Sequence, residues 1–409
     1  MTAGEGGVAR PPYWSLLLPA ALMLMVTMGI RQSMGLFVSP LNSSTGLGIV
    51  AISFALAVGQ LMWGVAQPIF GAVADRYGPG RVLVLGGLLG AAGIALAPLL
   101  PTRWGLVITL GVLASAGAGA GAFSILIGAV AKRLPAERRS FAAGFINAGG
   151  SFGQFVFAPL VQGLITAFGW MSALYSLAAL SIAALPFARP LRGRAAPKTA
   201  TATAGLTLRE QLRVAMGDRS YLLLHASFFT CGVHVAFLMT HLPGEVALCG
   251  LSAQVSANAI ALIGLANIAG SLAAGTLGQH FRLKNLLFCF YAARTILILG
   301  YLAAPKTPLT LYIFAVGMGF TFLATVPPTA GLVGKLFGMR YMATLFGLTL
   351  FSHQVGGFFG AWLGGVTVVS TGSYQWMWYA DAALALAAAL LNLPIREAPL
   401  SRGDGVVPV

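Results

Sequence analysis

Twelve stretches of this chain are apolar over lengths that reach across a bilayer: 14–38, 50–74, 82–100, 105–131, 141–167, 170–187, 221–242, 253–278, 285–303, 308–335, 341–368 and 374–394. A helix needs about 20 such residues to cross the hydrocarbon. Composition agrees. Of the 409 residues, 58% are hydrophobic and 8% are charged, whereas a soluble domain carries about 25% charged residues. A chain this poor in polar groups cannot cover itself against water, so its solvent is lipid. The expectation is an all-α membrane protein with 12 transmembrane helices. Gly and Pro are frequent inside the runs, which suits helices whose backbones approach closely in a membrane.

Lys and Arg number 24 against nine Asp and Glu. That excess resembles a nucleic-acid signature until the charges are placed. With the N-terminus inside, the cytoplasmic segments hold 20 of the basic residues and the external loops hold two, Arg103 and Lys306. Arg31 and Arg294 fall within helices. This asymmetry is the positive-inside rule with both termini cytoplasmic, so the basic excess reports topology and no nucleic-acid partner is expected. The N-terminus is polar and its first apolar run is too long for a cleaved signal peptide. Cys231, Cys249 and Cys289 have no paired spacing, so neither a disulfide framework nor a metal site is expected.

The longest polar stretch, 188–220, includes RPLRGRAAPKTATATAG and reads as a cytoplasmic linker. It divides the chain into a tail (1–13), a first six-helix bundle (14–187), a second (221–394) and a C-terminal tail (395–409). The halves echo each other. GAVADRYGPGR (71–81) follows the second run and GTLGQHFRLKN (275–285) follows the eighth. AKRLPAERRSFAAGF (131–145) and GKLFGMRYMATLFG (334–347) precede the fifth and the eleventh. Such a period implies duplicated bundles about an axis along the membrane normal.

GxxxDRxGxxR between helices two and three, in a 6+6 chain with a basic central linker, resembles the major facilitator superfamily over its whole length. The resemblance implies a central cavity between two bundles, alternating access, cavity-lining helices one, four, seven and ten, and outer helices three, six, nine and twelve. It makes Gly71, Asp75, Arg76, Gly78 and Arg81 a gating motif. A carboxylate at a helix end can latch onto the neighbouring bundle in one state only; the plainer reading is charge anchoring of the helix ends.

The acids are Glu5, Asp75, Glu137, Glu210, Asp218, Glu245, Asp381, Glu397 and Asp404, and only Asp381 lies within a run. The runs also hold Arg31 and Arg294. An ionised group at the bilayer centre costs on the order of 2.5–3.5 kcal/mol or more, which marks such residues as functional candidates. A cavity with cations and almost no carboxylates points to an anionic substrate. Arg31, in GIRQSMGLF (29–37), lies about 25 Å along the first helix. There its planar fork suits a carboxylate, and the competing reading is snorkelling to the outer interface.

GIRQSMGLFVSPL resembles the first helix of the monocarboxylate and oxalate/formate transporter group, where a basic residue often stands at the place of Arg31. THLPGEVALCGLS (240–252) and AGGSFGQFVFAPL (148–160) resemble bacterial members of that group. The resemblance implies short organic acids, often moved with a proton. The chain departs from it in the eighth helix. IGLANIAGSLAAG (263–275) has Ser271 where the group usually carries an arginine, with Asn267 one turn earlier.

Arg294 and Asp381 have compatible depths, so they form a neutralising pair or Arg294 faces the cavity. His234 and His241 share one face of the seventh helix, with His241 at the interface. His234 takes up a proton or is a neutral histidine bonded to backbone. Asn147, Asn267, His353 and Gln354 either touch substrate or bond between helices. GVLASAGAGAGAF (111–123) reads as close helix packing before cavity wall, and VPPTAG (326–331) must interrupt the tenth helix.

These readings converge on a secondary transporter of a small organic anion, a monocarboxylate first, moved with a proton in a bacterial inner membrane. A single chain completes the cavity, so a monomer suffices. No cofactor, metal or catalytic cluster is expected, so the chain is not read as an enzyme. The alternatives are a larger neutral or anionic metabolite, such as an aromatic compound or vitamin, or anion exchange.

Overall fold

A computed structural model of the chain describes residues 13–131, 133–134, 136–192, 207–338 and 341–398; the side chains of 75, 131, 136–141 and 343 lie outside that description. So do most of both expected tails and the middle of the expected linker. Among the described residues there is helix and no strand, as a hydrocarbon solvent requires of a chain that must satisfy its own backbone.

The first crossing is interrupted. Helix α1 (Trp14–Gln32) tightens into a 3₁₀ turn at Met34–Phe37 and resumes as α2 (Val38–Thr45). Helices α3 (Ile49–Tyr77) and α4 (Pro79–Leu96) meet at Gly78, whose φ of 92° favours glycine and is followed by a proline at the helix start. The next crossing is α5 (Arg103–Leu106), a π-helical stretch (Val107–Ala114), α6 (Ser115–Ala120) and α7 (Phe123–Ala131). Helix α8 (Ala136–Ala183) turns at Gly169, φ 79°. The expected fifth and sixth helices are its two arms.

A short amphipathic helix, α9 (Leu208–Gly217), opens with a capping box from Thr207 and Glu210. It leads into α10 (Arg219–Leu248), α11 (Ala253–His280) and α12 (Leu283–Ala303). A broken helix follows as α13 (Pro308–Phe322) and α14 (Val326–Phe337), then α15 (Met342–Thr371) and α16 (Gln375–Asn392).

Nine stretches among the described residues are long and apolar enough to span, where twelve were expected. The arms of α8 form one of the nine, continuous from Ala142 to Ala188. Helices α15 and α16 fall outside the set. Ser352, His353 and Gln354 dilute the hydropathy of the first; Gln375, Asp381 and Asn392 dilute that of the second. The chain is a multi-pass helical membrane protein; its count of crossings is not fixed by hydropathy alone.

Two seams join the N-terminal and C-terminal helices: α3 lies along α15, and α8 along α11. At the end of the bundle away from the termini, backbone meets backbone through glycines. A Cβ on Gly35 would sit 2.0 Å from the Met239 carbonyl oxygen, and one on Gly264 would sit 2.9 Å from the Phe155 amide nitrogen. A Cβ on Gly365 would sit 2.6 Å from Ser53 Oγ. Toward the end that carries the termini, Gly71, Gly144, Gly275 and Gly347 have nothing within 4 Å of such a Cβ. The two halves are therefore closed against each other at the far end and parted at the terminal end.

Gly35→Ala is accordingly expected to wedge the far end open. The check is the distance between spin labels at Ser44 and Leu248, whose distribution shifts to longer values; an unchanged distribution would show that the Gly35 approach does not hold this seam.

Candidate functional site

The interruption after Arg31 shapes the site. Ser33 Oγ donates to the Gly29 carbonyl at 2.8 Å, back-bonding that favours a bend. Gly29 packs against Phe157 of α8, while Gly35 reaches α10. Between these anchors Arg31 is half-buried and turns toward α3. Its Nη2 donates to Gln60 Oε1, and its guanidinium carbon lies 4.2 Å from the centroid of the Trp63 ring. Cation–π contact and hydrogen bond together fix the fork's direction. The side chain does not snorkel outward.

Arg31 forms part of the wall of a cavity with Gln60 and Ser115; apart from Met239 and Thr240 of α10, the lining comes from the N-terminal helices. Small residues create that space. Gly86 and Gly90 of α4 and Gly117 of α6 also line it, and a Cβ on Gly117 would sit 2.3 Å from the Gly90 amide nitrogen. The glycine-rich stretch 111–123 therefore both packs tightly and walls the cavity. It follows the π-helical stretch 107–114, whose widened turns bring the Ser115 hydroxyl to the Leu110 carbonyl at 2.9 Å.

No described acid reaches Arg31. Asp218 pairs with Arg396, Glu397 with Lys335 at 3.1 Å, and Glu210 caps α9. Glu245 accepts from Tyr301 Oη at 2.7 Å. Asp381 Oδ2 lies 2.6 Å from His234 Nδ1. The cavity thus presents a held guanidinium without a carboxylate among the described residues.

Of the other candidate residues, none of Asn147, His234, Asn267, His353 or Gln354 is among the described residues lining this cavity. Asn147 is half-buried on α8. Gln354 packs on Gly64 at the α3–α15 seam and lies 3.2 Å from His353 Nδ1. Asn267 is a joint. Its Nδ2 donates to Ser151 Oγ of α8 at 2.9 Å, and its Oδ1 accepts from the Leu323 amide at 3.0 Å. His241 is buried rather than interfacial; Nε2 lies 2.7 Å from the Ala361 carbonyl oxygen and Nδ1 lies 3.3 Å from Tyr374 Oη.

The expected Arg294–Asp381 pair is corrected. The two do not touch. Arg294 is wholly buried and donates to the carbonyls of Thr321 and Phe322, the latter at 2.7 Å, with Cys231 Sγ at 3.2 Å. These carbonyls end α13 at the break before α14, where Val326 gives its amide to the Leu323 carbonyl at 3.0 Å and Pro327 and Pro328 have none to give, so the helical ladder stops and Arg294 supplies the donors. Equal depth in the sequence did not give azimuth: α12 turns Arg294 toward α13, leaving Asp381 to His234. The signal for this role was VPPTAG itself, beside a lone arginine on a neighbouring helix.

In the 71–81 motif, Gly78 makes the turn and Gly80 lies against Arg192, where a Cβ would meet Cγ at 2.6 Å. Arg76 lies over its neighbour Tyr77, 5.3 Å from the ring centroid. The Asp75 side chain lies outside the described residues. Gly71 is on the parted part of α3.

A bundle of membrane helices in two groups, closed against each other at one end and parted at the other, is a polytopic membrane-protein fold. The family model of the Major Facilitator Superfamily matches residues 20–361 and, in a second match, 249–407, and the chain belongs to that superfamily. It is 26% identical to monocarboxylate transporter 13 of Rattus norvegicus over 394 residues, covering 93% of this chain and 89% of that one. Over 155 residues it is 28% identical to the oxalate:formate antiporter of Oxalobacter formigenes, covering 37% of this chain and 36% of that one. The crystal structure of a D-xylose-proton symporter has a TM-score of 0.74 at 16% identity, over 94% of this chain and 98% of that chain, and shares the fold.

The two membrane arginines are expected to separate by stability. Arg294→Gln removes the donor to two carbonyls and leaves Asp381 without its nearby cation, a loss of about 3–5 kcal/mol for a broken buried charge network. Arg31→Gln leaves stability nearly unchanged. Thermal unfolding of both purified variants checks this, and equal losses would contradict it.

Proposed function

We propose that this chain transports monocarboxylates by alternating access, with Arg31 gripping the carboxylate and a proton moving with it. The observation that carries the reading is the Arg31 guanidinium: oriented by Gln60 and Trp63 in a cavity wall, and without a carboxylate partner among the described residues. A buried or half-buried cation in that setting favours an anion that arrives from solution. The relatives' names agree in kind: one is a monocarboxylate transporter and one an oxalate:formate antiporter.

Within the monocarboxylates, Ser271 favours an aromatic acid over lactate-sized acids, since the second arginine expected in the eighth helix of the monocarboxylate group is absent and a larger ligand is held by more apolar contact. The larger neutral or anionic metabolite is the second reading on this same observation.

In the transport cycle, residues 14–187 and 221–394 act as the two moving bundles. The parted terminal end closes when Asp75, Arg76 and Arg81 of the Gly71–Arg81 motif latch onto the opposite bundle. His234 carries the proton. The membrane is the bacterial inner membrane with both termini cytoplasmic, on the strength of the basic loops, and the working unit is one chain.

Uptake of radiolabelled formate, lactate, pyruvate and benzoate into proteoliposomes, with and without an inward proton gradient, tests this. Benzoate is expected to accumulate with the gradient in the wild-type protein, and Arg31→Gln to lose at least about tenfold in uptake at subsaturating substrate, as befits a charge-assisted contact of about 1.5–3 kcal/mol. Normal uptake by Arg31→Gln would remove the anion role.

A further inference from the structure

We propose that His234 and Asp381 together form the seat of the transported proton, and that the proton loaded there is what admits the anion to Arg31; this rests on the proton-coupled reading above. Asp381 is the one described acid in mid-span. Its Oδ2 lies 2.6 Å from His234 Nδ1, and the two side chains are 0% and 2% exposed. The contact is close but poorly directed as a hydrogen bond, and neither His234 Nε2 nor Asp381 Oδ1 has a protein hydrogen-bond partner. Buried polar atoms are paired in the great majority of cases, so a cluster of exceptions needs a reason. A site that must gain and lose a proton supplies one, because full satisfaction of either state would trap it there.

The surroundings set the charge. From α10, Cys231 lies one turn before His234. From α12 come Tyr291 and Arg294, the latter 5.1 Å above the Tyr291 ring and acting on Asp381 through space. From α15 comes His353, which interacts with Cys231. From the α13–α14 break come only Thr321 and Thr325, which do not ionise. With His234 neutral, Arg294 and Asp381 cancel and the pocket is uncharged. A proton arriving from water on one side adds to a lone pair at the Nδ1–Oδ2 contact, breaks no bond, and leaves the pocket one charge positive. It departs to water on the other side.

An uncompensated buried charge is costly. Met239 and Thr240, which line the cavity, lie on the same helix as His234, about 7.5 Å farther along its axis. An anion on Arg31 thus offsets the proton's charge through the low-dielectric interior, and the proton offsets the anion's. By reciprocity each raises the affinity for the other. Affinity for the anion is therefore expected to rise as pH falls through the range in which the pair loads.

The test uses the full-length protein. In proteoliposomes, Asp381→Asn, which leaves the Arg294 charge uncancelled as in the loaded pocket, is expected to keep benzoate counterflow within about twofold of wild type yet to lose gradient-driven accumulation by about tenfold or more, whereas His234→Gln, which fixes the uncharged pocket, loses both. The double variant His234→Gln/Asp381→Asn, neutral at both positions, gives the same split as Asp381→Asn and shows by its thermal unfolding that the fold persists. Accumulation retained in these variants overturns the proposal. So does loss of counterflow in Asp381→Asn and in the double variant, which makes the cluster structural. Wild-type protein that exchanges benzoate but ignores the gradient refutes proton coupling itself, and the proposal with it. Should benzoate not move at all, infrared difference titration decides without a substrate. A pH-dependent carboxyl band present in wild type and absent from Asp381→Asn supports the shared proton site, and its absence from wild type overturns it.

Discussion

Hydrocarbon offers no hydrogen bonds, so every interruption of a helix must be satisfied from inside the protein. The structure is arranged around three such interruptions. After Arg31, Ser33 bonds back to Gly29 and a 3₁₀ turn carries the chain into α2. In the fourth crossing, π-helical turns end at Ser115, whose hydroxyl takes the Leu110 carbonyl. Between α13 and α14, Arg294 takes two carbonyls and Asn267 takes the Leu323 amide. The first two interruptions border the cavity. The third is tied through Asn267 to Ser151, across the seam between the halves. Breaks placed at seams and cavity walls are where two packed bundles can shift without unravelling.

Two arginines in one membrane protein have opposite uses, and their partners distinguish them. Arg294 spends its donors on backbone oxygens and a thiol, and is fully buried. Arg31 touches one amide oxygen and one aromatic face, and borders a cavity. The first caps a broken helix; the second is the proposed carboxylate receptor. Between them Asn267, Gln154 and Gln354 sit at the seams; Gln154 donates to the Ile260 carbonyl at 3.1 Å. Neutral polar side chains there hold the halves without the desolvation cost of a charge.

Much of the fold is legible in the sequence because length and hydropathy are one-dimensional. Helical runs, polar joints and the break at VPPTAG can be read along the chain. What lies around the helix axis cannot. The depth of Arg294 matched Asp381, but azimuth decided the partners, and His234 took the acid. For Asn267 the sequence leaves substrate contact and bonding between helices open; in the structure it bonds Ser151 and the Leu323 amide. His241 was placed at the interface by counting from the mid-span His234, yet Ala361 and Tyr374 close over it. Hydropathy also leaves α15 and α16 outside the spanning set, because their polar residues dilute it. For Arg31 the sequence posed the question and three-dimensional contacts answered it: Gln60 and Trp63 come from a helix whose approach no local pattern reveals.

The central claim is that Arg31, held by Gln60 and Trp63, receives a carboxylate. Because the guanidinium lies against the Trp63 ring, an anion bound there alters that indole's fluorescence. The most direct measurement is a benzoate titration of purified protein, read as the tryptophan signal that Trp63→Phe removes. A saturable change in wild type, steeper at lower pH and absent from Arg31→Gln, is the predicted result. The same saturable change in Arg31→Gln would contradict it.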